Sequence, residues 1–244
     1  MSPLGILPFL SLLVLPLQAA TITQWNFDAS STTPSTGSGT ANLVGGTTAT
    51  FAGGNGGGFG WNTTTYAAQS AGSGTRGVEF FASTAGFEDI TISFDHRASD
   101  TASRWAQIEY TTNGGSSWTV AQNNVGGLSP HDTFYSFNID LSTLSVVENI
   151  AGFGVRITSI FAPVAFDQNA TLADFSADSA YQRANSQSGF ASGSGTGTGD
   201  YGAAGTWRFD NVTISGTAVP EPAASLLGAV GVLGLLRRRR AALK

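Results

Sequence analysis

Few side chains in this 244-residue chain could carry covalent chemistry: it has two histidines, no cysteine, eleven basic and sixteen acidic residues. His96 and His131 lack the i, i+4 partner of a helical zinc site, so each reads as a hydrogen-bonding group. No G-x-S-x-G elbow positions a serine nucleophile. A glycosidase would need two carboxylates facing each other across a cleft. Glu79, Glu88, Glu109 and Glu148 are available, but the tight E-x-D-x-x-E strand pattern of lectin-like glycosidases is absent. "GGNGGGFG", from Gly53, imitates the glycine spacing of a phosphate loop without the lysine such a loop needs. The expectation is a protein without a catalytic centre.

Binding chemistry has better carriers. Asp28, just after the first apolar run, and Asp210, inside the last, are candidate calcium ligands if the terminal strands lie side by side; calcium takes carboxylate and backbone carbonyl oxygens. No other cofactor is suggested. Five tryptophans, Trp25, Trp61, Trp105, Trp118 and Trp207, could stack on the C–H faces of sugars. In alternating strands most belong in the core, which leaves one for a surface platform. Arg97 and Arg104 bracket "ASDTAS" and read as charge pairs with Asp95 and Asp100 that pin a connection between strands. The stretch Phe161–Thr206, with Asp167, Asp174, Asp178 and Asp200 among aromatics, is either a ligand contact or a surface excursion.

The elements that would position these residues read as strands. Apolar and polar residues alternate in "ITQWNF" (22–27), "GVEFFA" (77–82), "ITISFDHR" (90–97), "TFYSFNIDL" (133–141), "GFGVRITSI" (152–160) and "WRFDNVTISG" (207–216). "WAQIEYTTNGGSSWTV" (105–120) is a hairpin, its turn at Asn113, Gly114 and Gly115. Ser30–Tyr66 is rich in glycine, serine and threonine and reads as loop with at most one short strand. At least eight short strands and no sustained helical period predict an all-β fold, a jelly-roll or lectin-like β-sandwich.

Both ends of the chain follow other rules. "MSPLGILPFLSLLVLPLQAA" (1–20) has an apolar core too short to span a bilayer and closes on Ala19 and Ala20, the build of a cleavable signal peptide. Three prolines argue against its being a buried helix. At the other end Pro220, Glu221 and Pro222 precede the apolar run Ala223–Leu236, about 21 Å long as a helix at about 1.5 Å per residue. That is marginal against a hydrocarbon core about 30 Å thick. Arg237, Arg238, Arg239 and Arg240 follow at once and would hold the run in the membrane with the body outside.

This order of parts resembles the PEP-CTERM sorting signal of Gram-negative envelope proteins. The resemblance implies transient insertion of the C-terminal helix in the inner membrane, processing by an exosortase-type membrane protease near Pro220–Pro222, and delivery to the outer surface or extracellular matrix. Three parts are thus expected: a signal peptide (1–20), a β-sandwich (21–218) and the sorting signal (219–244).

The body between the ends carries six basic and fifteen acidic residues, a net of −9, and no lysine. Such a surface repels phosphate backbones, so no nucleic-acid partner is expected. Without cysteine it forms no disulfide in an exported setting. In "QWNF", "ITISFDHRASDTASRW", "IEYTTNGGSSW" and "GTWRFDNVTISG" the body resembles a recurrent β-sandwich module of bacterial envelope and secreted proteins. In architecture it is similar to jelly-roll carbohydrate-binding and lectin-like domains, and fold alone does not fix function. The reading is an exported, non-catalytic protein of the cell surface or matrix, with exopolysaccharide as candidate partner. A purely structural matrix protein and a glycan-active hydrolase are the alternatives. An exposed aromatic platform would favour binding, a cleft with two carboxylates the enzyme, and neither feature the structural role.

Overall fold

The computed structural model describes residues 18–123, 127–129, 132–162, 181–184 and 201–219. Eleven strands carry the fold: β1 (Ala19–Trp25), β2 (Thr40–Val44), β3 (Thr48–Gly53), β4 (Phe59–Thr64), β5 (Gly77–Phe81), β6 (Phe87–Ala98), β7 (Ala106–Thr111), β8 (Thr119–Asn123), β9 (Tyr135–Asp140), β10 (Gly154–Ser159) and β11 (Trp207–Ala218). A single 3-10 turn, Ser145–Val147, is the helical element among the described residues. None of the helices there is long and apolar enough to cross a membrane. The apolar runs of the signal peptide and the sorting signal, the four arginines, His131 and the aspartates at 167, 174, 178 and 200 lie outside the described residues.

Two antiparallel sheets face each other, as the alternation predicts. One has five strands in the order β2-β5-β10-β7-β8; the other runs β3-β4-β11-β6-β9 with β1 also on β11. The terminal strands do lie side by side, Ala19 opposite Thr217 and Trp25 opposite Val212. One edge of β11 is taken by β6 along its length. On the other edge β4 pairs with Trp207–Phe209 and β1 with Val212–Thr217, so β4 and β1 meet end to end.

Apolar residues at alternate positions fill the space between the sheets. Trp25, Phe80, Phe209, Ile92, Ile108 and Ile157 are buried there, and Phe80 bridges the layers, 5.3 Å from the Trp25 ring and 6.4 Å from Phe209. Truncating such a core aromatic to alanine costs about 3–5 kcal/mol. His96, also in this core, donates or accepts at Nδ1 with Ser129 (2.8 Å), whose hydroxyl bonds the His96 carbonyl, and burial pushes its pKa down to about 3. It has the hydrogen-bonding role its sequence setting suggests.

The sequence reading needs two corrections. Ser30–Tyr66 is not mainly loop: it holds β2, β3 and β4. β2 and β3 are edge strands with exposed, polar or small residues, so their alternation is faint, whereas Trp61 and Thr63 of β4 do point inward. Arg97 pairs not with Asp95 or Asp100 but with Asp132 (3.0 Å), because β6 places its guanidinium toward the segment before β9. Of the long connection, Tyr181 and Tyr201 are buried and stack at 4.6 Å with Phe161 against them, sealing one end of the sandwich.

Candidate functional site

The outer face of the five-stranded sheet carries a row of paired side chains set by register. Arg156 of β10 lies opposite Glu79 of β5 on one side and Glu109 of β7 on the other. Asn42 extends the row beyond Glu79, and Val120 beyond Glu109. Arg156 grips Glu109 through Nε (2.9 Å) and Nη2 (2.7 Å), both directed at the one oxygen Oε2, a charge-assisted contact. Asn42 donates to Glu79 at 3.4 Å.

Beside this row lie two aromatic rings. Trp118 packs under Arg156, whose guanidinium carbon is 4.4 Å from the ring centroid, a cation–π contact. Phe81 is 5.9 Å from Trp118. Phe81 lies opposite Gly154 in register, and a Cβ at Gly154 would come within 2.5 Å of its ring. Glycine there lets the Phe81 ring settle against the strand rather than stand up from it. Gly115, at φ 89°, lies against the tip of the same ring.

The hairpin loop that presents Trp118 is held from within. The Thr111 hydroxyl donates to Asn113 Oδ1 (2.9 Å) and accepts from the amide of Gly115 (3.1 Å); the Ser117 amide donates to Asn113 Oδ1 (3.0 Å). The "TTNGGSSW" sequence thus makes both the turn and a fixed mount for the indole. Trp25, Trp61, Trp105 and Trp207 are at most 3% exposed, whereas Trp118 is half-buried on the surface. One surface tryptophan of five matches the sequence reading, which did not say which one. The signal was parity: Trp118 shares its side of β8 with the exposed Val120, after a turn that reverses the chain.

Asp28 and Asp210 sit elsewhere, on the outer face of the six-stranded sheet where β1 and β4 meet. The glycine-rich loop between β3 and β4 folds over this junction. Asp210 accepts the amides of Asn55 (2.7 Å) and Asn211 (2.8 Å), and Asp28 those of Phe59 (3.3 Å) and the Asn26 side chain (2.8 Å). Gly54 and Gly58 are needed because a Cβ at either would strike Asp210 or Asp28. Asp95 lies directly across from Asp210 and takes hydrogen bonds from Ser136, Asn55 (3.0 Å) and Asn211 (2.9 Å).

The two cross-strand aspartates respond differently. Burial pushes Asp210 up to about 6 against its two amide donors, and the charges of Asp28 and Asp95 add to the rise. Partial burial also pushes Asp95 up, but its three donors outweigh that and hold it below the usual carboxylate value. No three acidic or histidine side chains among the described residues are arranged to hold a metal ion.

Comparison with known proteins adds three observations. Residues 218–240 match the model of the PEP-CTERM protein-sorting motif. No curated protein sequence matches the chain. Among solved structures, the chain is similar to the CBM22-1 xylan-binding domain of Paenibacillus barcinonensis Xyn10C, at 11% identity and TM-score 0.43 over 85% of this chain and 100% of that one. It is also similar to the family 11 carbohydrate-binding module of the Clostridium thermocellum cellulase Lic26A-Cel5E, at 8% identity and TM-score 0.40 over 85% and 99%. A third likeness is to the CBM22-1 and GH10 modules of C. thermocellum Xyn10B, at 13% identity and TM-score 0.42; the match covers 80% of this chain and 27% of that one. The motif at the C-terminus marks the chain as exported and as an exosortase substrate.

Proposed function

We propose that this exported protein is a non-catalytic, surface-displayed polysaccharide binder whose site is the outer face of the five-stranded sheet. The observation that carries this reading is the half-buried Trp118 beside Phe81, with Arg156 and Glu109 locked next to both rings. Two flat apolar rings side by side suit the C–H faces of consecutive sugars. The N–H groups of Arg156 and the oxygens of Glu79 and Asn42 suit their hydroxyls.

A hydrolase is the weaker reading. Glu79 and Glu109 share the face and flank Arg156, but Glu109 is committed to that arginine through both contacts to Oε2. It is thereby placed to orient a donor, not to attack or to activate water. Asp28 and Asp210 are likewise proposed as calcium ligands, the remaining oxygens coming from backbone carbonyls and water.

The test is a glycan array followed by calorimetry on residues 21–218. Binding to a polysaccharide that is lost in Trp118→Ala supports the platform. A wild-type body that binds no glycan favours the structural matrix role, and release of reducing sugar on incubation would reinstate the hydrolase.

A further inference from the structure

The two segments that link the body to a membrane leave it at one end. Ala20 lies opposite Gly216 and Thr21 opposite Ser215, so the signal-peptide junction sits on the strand next to the last residues of β11, about 4.8 Å away across the ladder. β11 ends at Ala218, and the amide of Val219 donates to the Gly86 carbonyl at 2.8 Å. Pro220 comes next in the chain and, lacking an N–H, cannot continue the ladder. No linker separates the folded sheet from the sorting motif. At roughly 3.3–3.6 Å per residue, Pro220–Pro222 reach only about 10 Å from Val219.

We infer that this end of the sandwich, formed by the Ser83–Gly86 turn, the Ser145–Val147 turn and the paired ends of β1 and β11, is the surface on which the membrane-embedded sorting protease seats while it processes the tail. The inference rests on the sorting role of residues 218–240. Any enzyme that engages a motif about 10 Å from a folded body must touch that body. The surface there has the composition of a contact. Val146, 57% exposed, and Val219, 38% exposed, are two of the exposed large apolar residues. Val219 bonds the carbonyl of Gly86, whose own amide donates to Asn149 Oδ1 (2.8 Å) while the Asn149 amide donates to the Phe87 carbonyl (2.9 Å), which ties this turn to the segment that carries Val146.

The charge around this apolar pair selects a protein over the lipid surface. Glu88, Asp89 and Glu148 are the charged residues of 82–89 and 144–150, the amide of Asp89 donating to Glu148 Oε1 (3.2 Å), and neither segment contains a lysine or arginine. An anionic headgroup layer attracts basic segments and repels a rim of this sign. A protein face with basic groups does not.

The experiment uses the full-length chain in a host carrying an epitope-tagged exosortase. A photo-crosslinking residue is placed at Val146, at Ala85, or at Asp100, which is exposed at the opposite end of β6. Crosslinks to the tagged protease from Val146 and Ala85, in several-fold excess over Asp100, are expected. Val146→Lys/Glu88→Lys is expected to slow loss of the arginine cluster several-fold, followed by mass spectrometry, with the melting curve of the body unchanged. Should that variant melt early, Val146→Lys alone supplies the rate. Equal crosslinking from Asp100, or wild-type processing of a well-folded variant, overturns the inference. A wild-type chain that keeps its tail at its final location overturns instead the sorting role on which it rests.

Discussion

The two outer faces of the sandwich are built from similar polar residues and put them to opposite use. On the six-stranded sheet, Asp28, Asp95 and Asp210 gather where β1 and β4 abut, and the chain brings its own amides to them through the glycine loop. Their hydrogen-bonding capacity is turned inward. On the five-stranded sheet Arg156 and Glu109 satisfy each other, and Arg156 lies over the Trp118 ring, with Trp118 and Phe81 left half-buried on the surface. A polar cluster around the buried Asp210, met by backbone amides, side-chain amides and a hydroxyl, closes a joint, because unmet groups there would be costly. Half-buried rings held beside a locked ion pair keep their remaining exposed apolar area for something else.

The largest effect that would break this contrast is on binding. Trp118→Ala is expected to weaken polysaccharide affinity by about ten- to hundredfold, as for the loss of about 1.4–3 kcal/mol of stacking, with a melting temperature close to wild type. Asp95→Asn, on the other face, is expected to leave affinity unchanged. Reversed outcomes in calorimetry would move the site to the acidic face. Gly154→Ala sharpens the same point. Its Cβ would collide with the Phe81 ring, so affinity should fall with Trp118 still in place, by less than in Trp118→Ala.

Acid unfolding separates the core from the acidic junction. His96 is protonated more readily in the unfolded chain, at about 6.5, than in the fold, at about 3. Its contribution is therefore full above pH 6.5 and is lost as pH falls toward 3, by about 1.4 kcal/mol per pH unit. Asp210 has the opposite sign: raised to about 6 in the fold from 3.8, it adds stability as pH falls through that window. Melting curves between pH 7 and 4 should thus fall less steeply for His96→Gln than for wild type, and more steeply for Asp210→Asn. Parallel curves for all three would show that neither group's pKa differs between the folded and the unfolded chain.

How far the sequence could foresee this follows from where each signal lies. β6 and β11 announce themselves because each alternates buried and more exposed residues over six or more positions, and β7 through the hairpin turn that follows it. β2 and β3 do not, since in these short edge strands no residue is fully buried and polar and apolar positions differ little in exposure. That the ends of the chain pair, bringing Asp28 and Asp210 to one joint, was legible from architecture. The platform was not: Phe81, Trp118 and Arg156 come from β5, the hairpin loop and β10, and only the strand order β5-β10-β7-β8 makes them neighbours. The glycines of "GGNGGGFG" were legible as loop, but their task of admitting two carboxylates depends on β1 and β4 meeting end to end.

Calcium is the smallest expected effect and the finest test of the contrast. Asp28 and Asp210 hold the two ends of one loop, and Gly57 directs its carbonyl toward Gly54 beside Asp210. Burial is the main cause of the rise of Asp210, and a cation among these oxygens would offset it together with the smaller repulsion from Asp28 and Asp95, adding stability by RT ln(1 + [L]/Kd), roughly 2.7 kcal/mol at a hundredfold excess over Kd. Because both carboxylates already accept amides, an ion gains less here than at a site that offers free oxygens, and the shift should lie below that figure. Melting in EDTA and in millimolar calcium should differ by a few degrees in wild type, less with magnesium, whose stricter geometry such a loop does not meet. Asp210→Ala should abolish the difference. Identical curves with and without calcium would leave the joint closed by its own amides alone, and the contrast between the two faces would then be complete.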